Sequence, residues 1–196
     1  MTILPQKNVR FKLPRGGWYG ILKKTSFRRC ARQRIEKENY YLDIAQTVLE
    51  RSTCLRRCYG AIIVQNDEIV ATGYNGAPRG RKNCCDLGYC MREKLQVPRG
   101  ERYELCRSVH AEANAIISAS RRECIGATIY LVGKEAATGK ILGDATSCSM
   151  CRRMIINAGI DRVVIRNTET EFSVVPVQSW IDEDDSIADL DYIPQK

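Results

Sequence analysis

From Glu36 onward, apolar residues recur at three- and four-residue steps (Leu42, Ala45, Val48, Leu49), which predicts an amphipathic helix. The pattern then shortens. Tyr59 to Val64 is a continuous apolar run, Asn66-Asp67 a turn pair, and Glu68 to Gly73 a second run, predicting a β-hairpin. Between Tyr74 and Arg107 no period holds, and a long cysteine-rich loop is expected. Helical spacing returns from His110 to Ala119, with Ala115, Ile116 and Ala119 on one side. Thr128 to Val132 reads as a third strand, and Gly133 to Ala145 as a glycine-bearing connection. A helix should begin at Cys148 and pass through Met154, Ile155 and Ala158, with Gly159 as its C-cap. Val163 to Ile165 reads as a strand, and Ser173 to Val177 as a last candidate strand. Strands alternating with helices after a hairpin predict an α/β fold, a helix-flanked sheet.

Charge divides this picture into three parts. Of the 31 basic residues, ten lie in residues 1–35, where there is no acid. The remaining 21 bases and 23 acids leave the body slightly negative, so the net charge of +8 belongs to the N-terminal segment. Residues 1–35 therefore read as a basic, flexible extension, 36–180 as the folded domain, and 181–196 as an acidic tail (Asp182, Glu183, Asp184, Asp185, Asp189, Asp191). The body is not a nucleic-acid platform; only the basic segment has the charge to touch RNA or anionic lipid. No run of about 18 apolar residues occurs, so no membrane span is expected. Without a signal core at the start, a cytoplasmic location is expected. The ten cysteines then read as metal ligands and buried thiols rather than disulfides.

The candidate chemistry centres on the only histidine. His110 opens a His-Ala-Glu triplet, and Cys148 and Cys151 form a Cys-x-x-Cys element, each at a predicted helix start. One imidazole and two thiolates make three zinc ligands and leave a fourth tetrahedral corner open, the pattern of a catalytic site. A helix N-terminus also favours the thiolate form that zinc requires. Glu112 supplies a carboxylate able to move protons, and the combination is the signature of zinc deaminases. The expected reaction is hydrolytic deamination, with Glu112 as the proton shuttle.

Four segments carry a more specific resemblance: Arg51-Ser52-Thr53-Cys54 with Gly60 to Val64, Gly73-Tyr74-Asn75-Gly76, Val109 to Ile116, and Cys148 to Ile160. Over about Tyr41 to Arg166 the chain resembles the deoxycytidylate (dCMP) deaminase family of the cytidine deaminase-like superfamily. The resemblance implies a three-layer α/β/α sandwich with a central mixed sheet. It implies conversion of dCMP to dUMP with release of ammonia, supplying thymidylate synthesis, activated by dCTP and inhibited by dTTP. It also implies a homohexamer or other homo-oligomer, with Gly73, Tyr74, Asn75 and Gly76 near the regulatory site. By the same analogy, Asn75 contacts the nucleotide, the Ala111 backbone meets the pyrimidine, and Ser52 and Arg51 approach the 5′-phosphate.

Some dCMP deaminases hold a second, structural zinc in these regions; here the set favoured is Cys54, Cys84, Cys90 and Cys106, with Cys85 the competitor for Cys84. Two departures stand out. Ser147 occupies the position before Cys148 where the family has proline, and is expected to cap the following helix. Arg166 to Glu169 lacks the aromatic residue often found near the base or sugar, which bears on substrate choice. The alternatives are a deaminase acting on another cytosine nucleotide or on a base in tRNA, and a non-catalytic zinc-binding nucleotide sensor.

Overall fold

The computed structural model describes residues 34–98, 101–143 and 145–183. The basic segment before residue 34 and the acidic residues after 183 lie outside the described residues, and with them most of both predicted tails.

The helical period after Glu36 becomes α1 (Lys37–Leu49), which buries Tyr41, Leu42, Ala45 and Leu49. The hairpin follows as β1 (Arg57–Gln65) and β2 (Glu68–Tyr74), antiparallel and joined at Asn66 and Asp67. Both turn residues have positive φ (51° and 67°), the pattern of tight hairpin turns whose twist matches that of the strands. The next helix longer than one turn is α4 (Ala111–Ser118), and β3 (Thr128–Glu135) is the next strand of the sheet. A crossover through α6 (Ser149–Ala158) then returns the chain to β4 (Arg162–Arg166), parallel to β3. Finally β5 (Phe172–Pro176) pairs antiparallel with β4. The strand order is β2-β1-β3-β4-β5, so the sheet is mixed.

Strand parity sorts the core into two layers. Ala61, Ile63, Ile129, Leu131, Val163 and Ile165 face α4 and α6, where Ala111, Ala115, Ile155 and Ala158 meet them. The alternate residues Ile62, Val64, Tyr130, Val132 and Val164 face α1. The result is the expected three-layer α/β/α sandwich. Two glycines set the helix heights. A side chain at Gly60 would collide with the α1 backbone at Ala45 and Leu49. One at Gly73 would collide with α4 at the Ala111 carbonyl and the Ala115 amide. Each helix therefore rests directly on the strand backbone.

Four differences from the sequence reading have local causes. The segment expected as one loop contains α2 (Cys84–Leu87), α3 (Met91–Lys94) and a 3-10 turn at Tyr103–Leu105. The first of these is fixed by a capping box between Asn83 and Asp86 and closed by Gly88 at φ 72°. A second capping box, Ser120 with Glu123, starts α5 (Arg121–Cys124), a short helix between α4 and β3. Third, β3 runs to Glu135 and not Val132, because Gly133 stays in register opposite Tyr59 and leaves room for the tyrosine ring. Last, β5 ends at Pro176, and Val177 opens α7 (Val177–Asp182) instead of closing the strand; Pro176 precedes the helix as its N-cap residue, and the helix passes residue 180. No described helix is long and apolar enough to cross a membrane.

Candidate active site and metal centre

Two helix N-termini on the same face of the sheet bring the predicted ligands together. His110 is the N-cap residue of α4 and Cys148 that of α6, with Cys151 one turn inside α6. Because Gly73 lets α4 lie flat on β2, and paired hydrogen bonds tie Gly76 to Val109 (2.8 and 3.2 Å), His110 has a fixed point of entry. Its Nδ1 lies 3.4 Å from Cys148 Sγ and 3.5 Å from Cys151 Sγ. Tetrahedral zinc with bonds of about 2.3 Å to sulfur and 2.0–2.1 Å to nitrogen separates N and S ligands by about 3.5 Å. The three side chains fit that ion. Among the described residues they are the one group of three potential ligands with all ligand atoms within 4.8 Å of one another.

The electrostatics suit the same role. Hydrogen bonds from Cys151 and then His110 pull the Cys148 thiol down to about 4, while Cys151, sharing its proton with that thiolate, is pushed up. The hydrogen bond to Cys148 raises His110, against the opposing effect of burial. Glu112 stands in the first turn of α4 and is only 4% exposed. Burial is the main cause of its raised carboxyl pKa, and its own helix N-H and the neighbouring His110 pull partly the other way. Tyr103 meets the His110 ring edge-on at 5.2 Å, and the Arg92 guanidinium covers the Tyr103 ring at 4.6 Å.

One cavity brings His110, Glu112, Cys148, Tyr103 and Arg92 together. Its wall includes His110, Ala111, Glu112 and Cys148 from the helix starts, Tyr59 and Asn75 from the hairpin, and Cys90, Arg92, Tyr103 and Cys106 from the covering segment. The remaining expected residues fall in several places. Asn75 lines the cavity but spends most of its amide on the wall: Oδ1 accepts from Ser52 Oγ (2.6 Å) and Tyr59 N (2.8 Å), and Nδ2 donates to Arg57 O (2.8 Å). Ser52 is thereby occupied with Asn75, while Arg51 is exposed, and neither lines the cavity. Gly73, Tyr74 and Gly76 line a separate groove along the outer edge of β2, with Arg79, Asn114 and Ile117.

Cys54, Cys90 and Cys106 border the cavity, and Cys84 is buried and lies close enough to feel all three; none is drawn to ligating distance in a set of three. Cys85 is exposed, which favours Cys84 as the inward member. The nine described cysteines are free, and Cys124 is a core thiol, 1% exposed. Ser147 does not cap α6. Cys148 takes that position with extended backbone (φ −68°, ψ 165°), and the buried Ser147 hydroxyl has no partner, whereas its carbonyl accepts from Arg152 Nε at 3.1 Å.

The sequence reading passed over Arg56, Arg57, Tyr59, Arg92 and Tyr103, all of which line the cavity. For Arg57 and Tyr59 the signal was available, because they continue the alternation of Ala61 and Ile63 onto the same face. For Arg92 and Tyr103, in an aperiodic segment, there was none.

A site of this construction on a mixed sheet defines a zinc-binding deaminase domain, and comparison with known proteins gives the family. Residues 35–167 match the cytidine and deoxycytidylate deaminase zinc-binding region. The chain belongs to that family. It is 36% identical over 132 residues to a deoxycytidylate deaminase of Mycobacterium phage D29, covering 65% of this chain and 91% of the phage protein. It is 33% identical over 127 residues to the deoxycytidylate deaminase of Schizosaccharomyces pombe, covering 65% of this chain but 36% of the yeast protein. Among solved structures, an apo dCMP deaminase from cyanophage S-TIM5 is similar at 27% identity with a TM-score of 0.48, covering 69% of this chain and 86% of that one.

Proposed function

We propose that this protein is a zinc-dependent hydrolytic deaminase that converts dCMP to dUMP and releases ammonia, thereby supplying thymidylate synthesis. The observation that carries the reading is a buried carboxylate, Glu112, two residues past the histidine of a His-Cys-Cys set at tetrahedral zinc spacing, with Glu112, His110 and Cys148 lining one cavity. The phage relative covered over nine tenths of its length bears the name deoxycytidylate deaminase, which supports the same substrate.

His110, Cys148 and Cys151 would hold the metal, which when bound supplies Lewis-acid activation of water near neutral pH. The remaining chemistry falls to the chain. Glu112 takes a proton from the attacking water and passes it to the ring nitrogen as the new C–O bond forms. The same carboxylate then takes the proton from the newly added hydroxyl and delivers it to the exocyclic amine; as the C–N bond breaks the C=O bond forms, and ammonia leaves. Burial suits Glu112 to this work, since a raised pKa lets it hold a proton between the two transfers. Ala111, fully buried at the cavity wall, brings its backbone to the pyrimidine, and Asn75 has one amide hydrogen left for the nucleotide.

The same reading carries the finer expectations. Activation by dCTP and inhibition by dTTP would act through the β2-edge groove at Gly73, Tyr74 and Gly76, and the enzyme would be a cytoplasmic homohexamer or other homo-oligomer. A second zinc would draw together Cys54, Cys84, Cys90 and Cys106; the Cys84 thiol, raised first by burial, is raised further by the other three.

An ammonia-release screen over dCMP, CMP, dCTP and cytidine, with and without dCTP as effector, tests the reading. Turnover of dCMP above the others is expected. Purified protein that holds zinc yet deaminates none of them would overturn it in favour of a nucleotide sensor. Metal analysis is expected to give two zinc ions per chain, and one would remove the cysteine site.

A further inference from the structure

We propose that Arg57 and Arg92 together form an anion subsite in the catalytic cavity, and that this pair, not Arg51, reads the substrate phosphate. The inference rests on the deaminase reading of the cavity. Arg57 reaches it by strand parity: Arg57, Tyr59, Ala61 and Ile63 alternate along β1, and the last two lie in the core beneath α4 and α6. Past Tyr59 the strand leaves that core, and the Arg57 side chain joins the cavity wall beside His110 and Glu112. Its backbone is clamped, with Asn75 Nδ2 donating to the Arg57 carbonyl at 2.8 Å. Its cross-strand neighbour Glu135 accepts instead from Thr138 Oγ1 at 2.6 Å, and the partner the Arg57 side chain does have, the Tyr59 hydroxyl, is neutral.

Arg92 approaches from the covering segment, in α3. It is 7% exposed, and one Nη donates to the carbonyls of Pro98 (2.7 Å) and Glu101 (2.6 Å). Its Nε has no partner. Those neutral acceptors and the Tyr103 ring hold the group in place, and Glu104, the carboxylate that feels it, is exposed and paired with Arg102, so the buried charge is only partly answered. Arg56 differs, because Glu93 already pairs with its Nε at 2.9 Å. Of the described residues lining the cavity, Glu112 alone carries a carboxylate. Two guanidinium-bearing residues lining a cavity with a single carboxyl favour an anionic ligand, and their forked donors match the oxygens of a phosphate monoester.

The test compares kcat/KM for dCMP and deoxycytidine in the unmodified protein, Arg57→Gln and Arg92→Gln. Each variant is expected to lower the preference for the phosphorylated substrate by about tenfold to a hundredfold, the scale of a lost charge-assisted hydrogen bond. Turnover of deoxycytidine should change little in Arg57→Gln. If either variant loses both substrates in parallel, or leaves the ratio unaltered, the assignment falls. It also falls if Arg51→Gln removes the preference instead. Should the unmodified protein deaminate neither compound, the deaminase reading fails while the subsite stays testable. Inorganic phosphate should then raise its Tm but not that of the double Arg57→Gln, Arg92→Gln variant; equal shifts in both would overturn the subsite.

Discussion

The two walls of the cavity are built differently. One is the sheet with α4 and α6 seated on it, where Ala111, Glu112 and Cys151 are all but sealed from solvent. The other is the segment from 75 to 109, whose helices are single turns and whose Tyr89, Met91 and Leu95 stand 38%, 38% and 53% exposed. One-turn helices have little stability of their own, so this wall depends on caps, the Arg92 contacts and its cysteines. The lesson is a division of labour. The predicted metal ligands and Glu112 sit on the part that packing holds rigid, and the groups proposed to select a ligand come partly from the part that sequence can vary.

The largest effect should follow from cutting into the rigid wall at its ligands. Cys151→Ser is expected to lose both bound zinc and ammonia release, measured by metal analysis and an activity assay. Retained activity would place the chemistry elsewhere. Glu112→Gln should keep the metal and lose turnover by about 10²- to 10⁴-fold, the range for a positioned acid-base group. In the unmodified enzyme, kcat/KM should fall on acidification through a pKa above the ordinary glutamate range, because burial raises the carboxyl that must be ionised to accept a proton.

The same shift has a signed consequence for stability. In metal-free protein at low pH, Glu112 is protonated whether folded or unfolded and contributes no difference. As pH rises past the ordinary carboxyl range, the unfolded chain ionises first, so stability is lost until the pH passes the raised folded value. Glu112→Gln should therefore have the higher Tm above that window, by a margin that disappears on acidification. A constant margin across pH would contradict this origin.

Gly73→Val asks whether the rigid wall depends on close approach. It should cost about 1–3 kcal/mol, or roughly 2–12 °C in Tm, through collision with α4. Zinc affinity should fall with it. The smallest effect belongs to the other wall: Tyr103→Leu removes an edge-on aromatic contact to His110 worth about 0.5–1.5 kcal/mol. A few-fold loss of kcat/KM with metal retained is expected. A loss as large as that of Gly73→Val would erase the distinction between the walls.

The same division governed what the sequence disclosed. The rigid wall announced itself, because helical spacing, strand alternation and ligand spacing are periodic, and His110, Glu112, Cys148 and Cys151 fell where the helices predicted. In the covering segment, position depends on contacts between residues far apart in sequence, such as Arg92 with Glu101 and Tyr103, which no period encodes. Asn75 shows the intermediate case. Its place at the cavity was legible, but its service as a hub joining Ser52, Arg57 and Tyr59 required the tertiary structure. Ser147 was misjudged for a one-residue reason, since Cys148 itself occupies the cap.

The tight turn at Asn66 and Asp67 has a consequence in time. Both residues already hold positive φ, and the strands they join meet through contacts a few residues apart, so this hairpin should form early and without waiting for the rest of the chain. The β3–β4 pair must instead close a crossover through α6, at a greater cost in chain entropy. The seat for α4, and with it His110 and Glu112, should thus be laid down before the thiolates of α6 arrive. Assembly of the metal site should accordingly be one of the last steps of folding, with substitutions in α6 changing the unfolding rate far more than the folding rate.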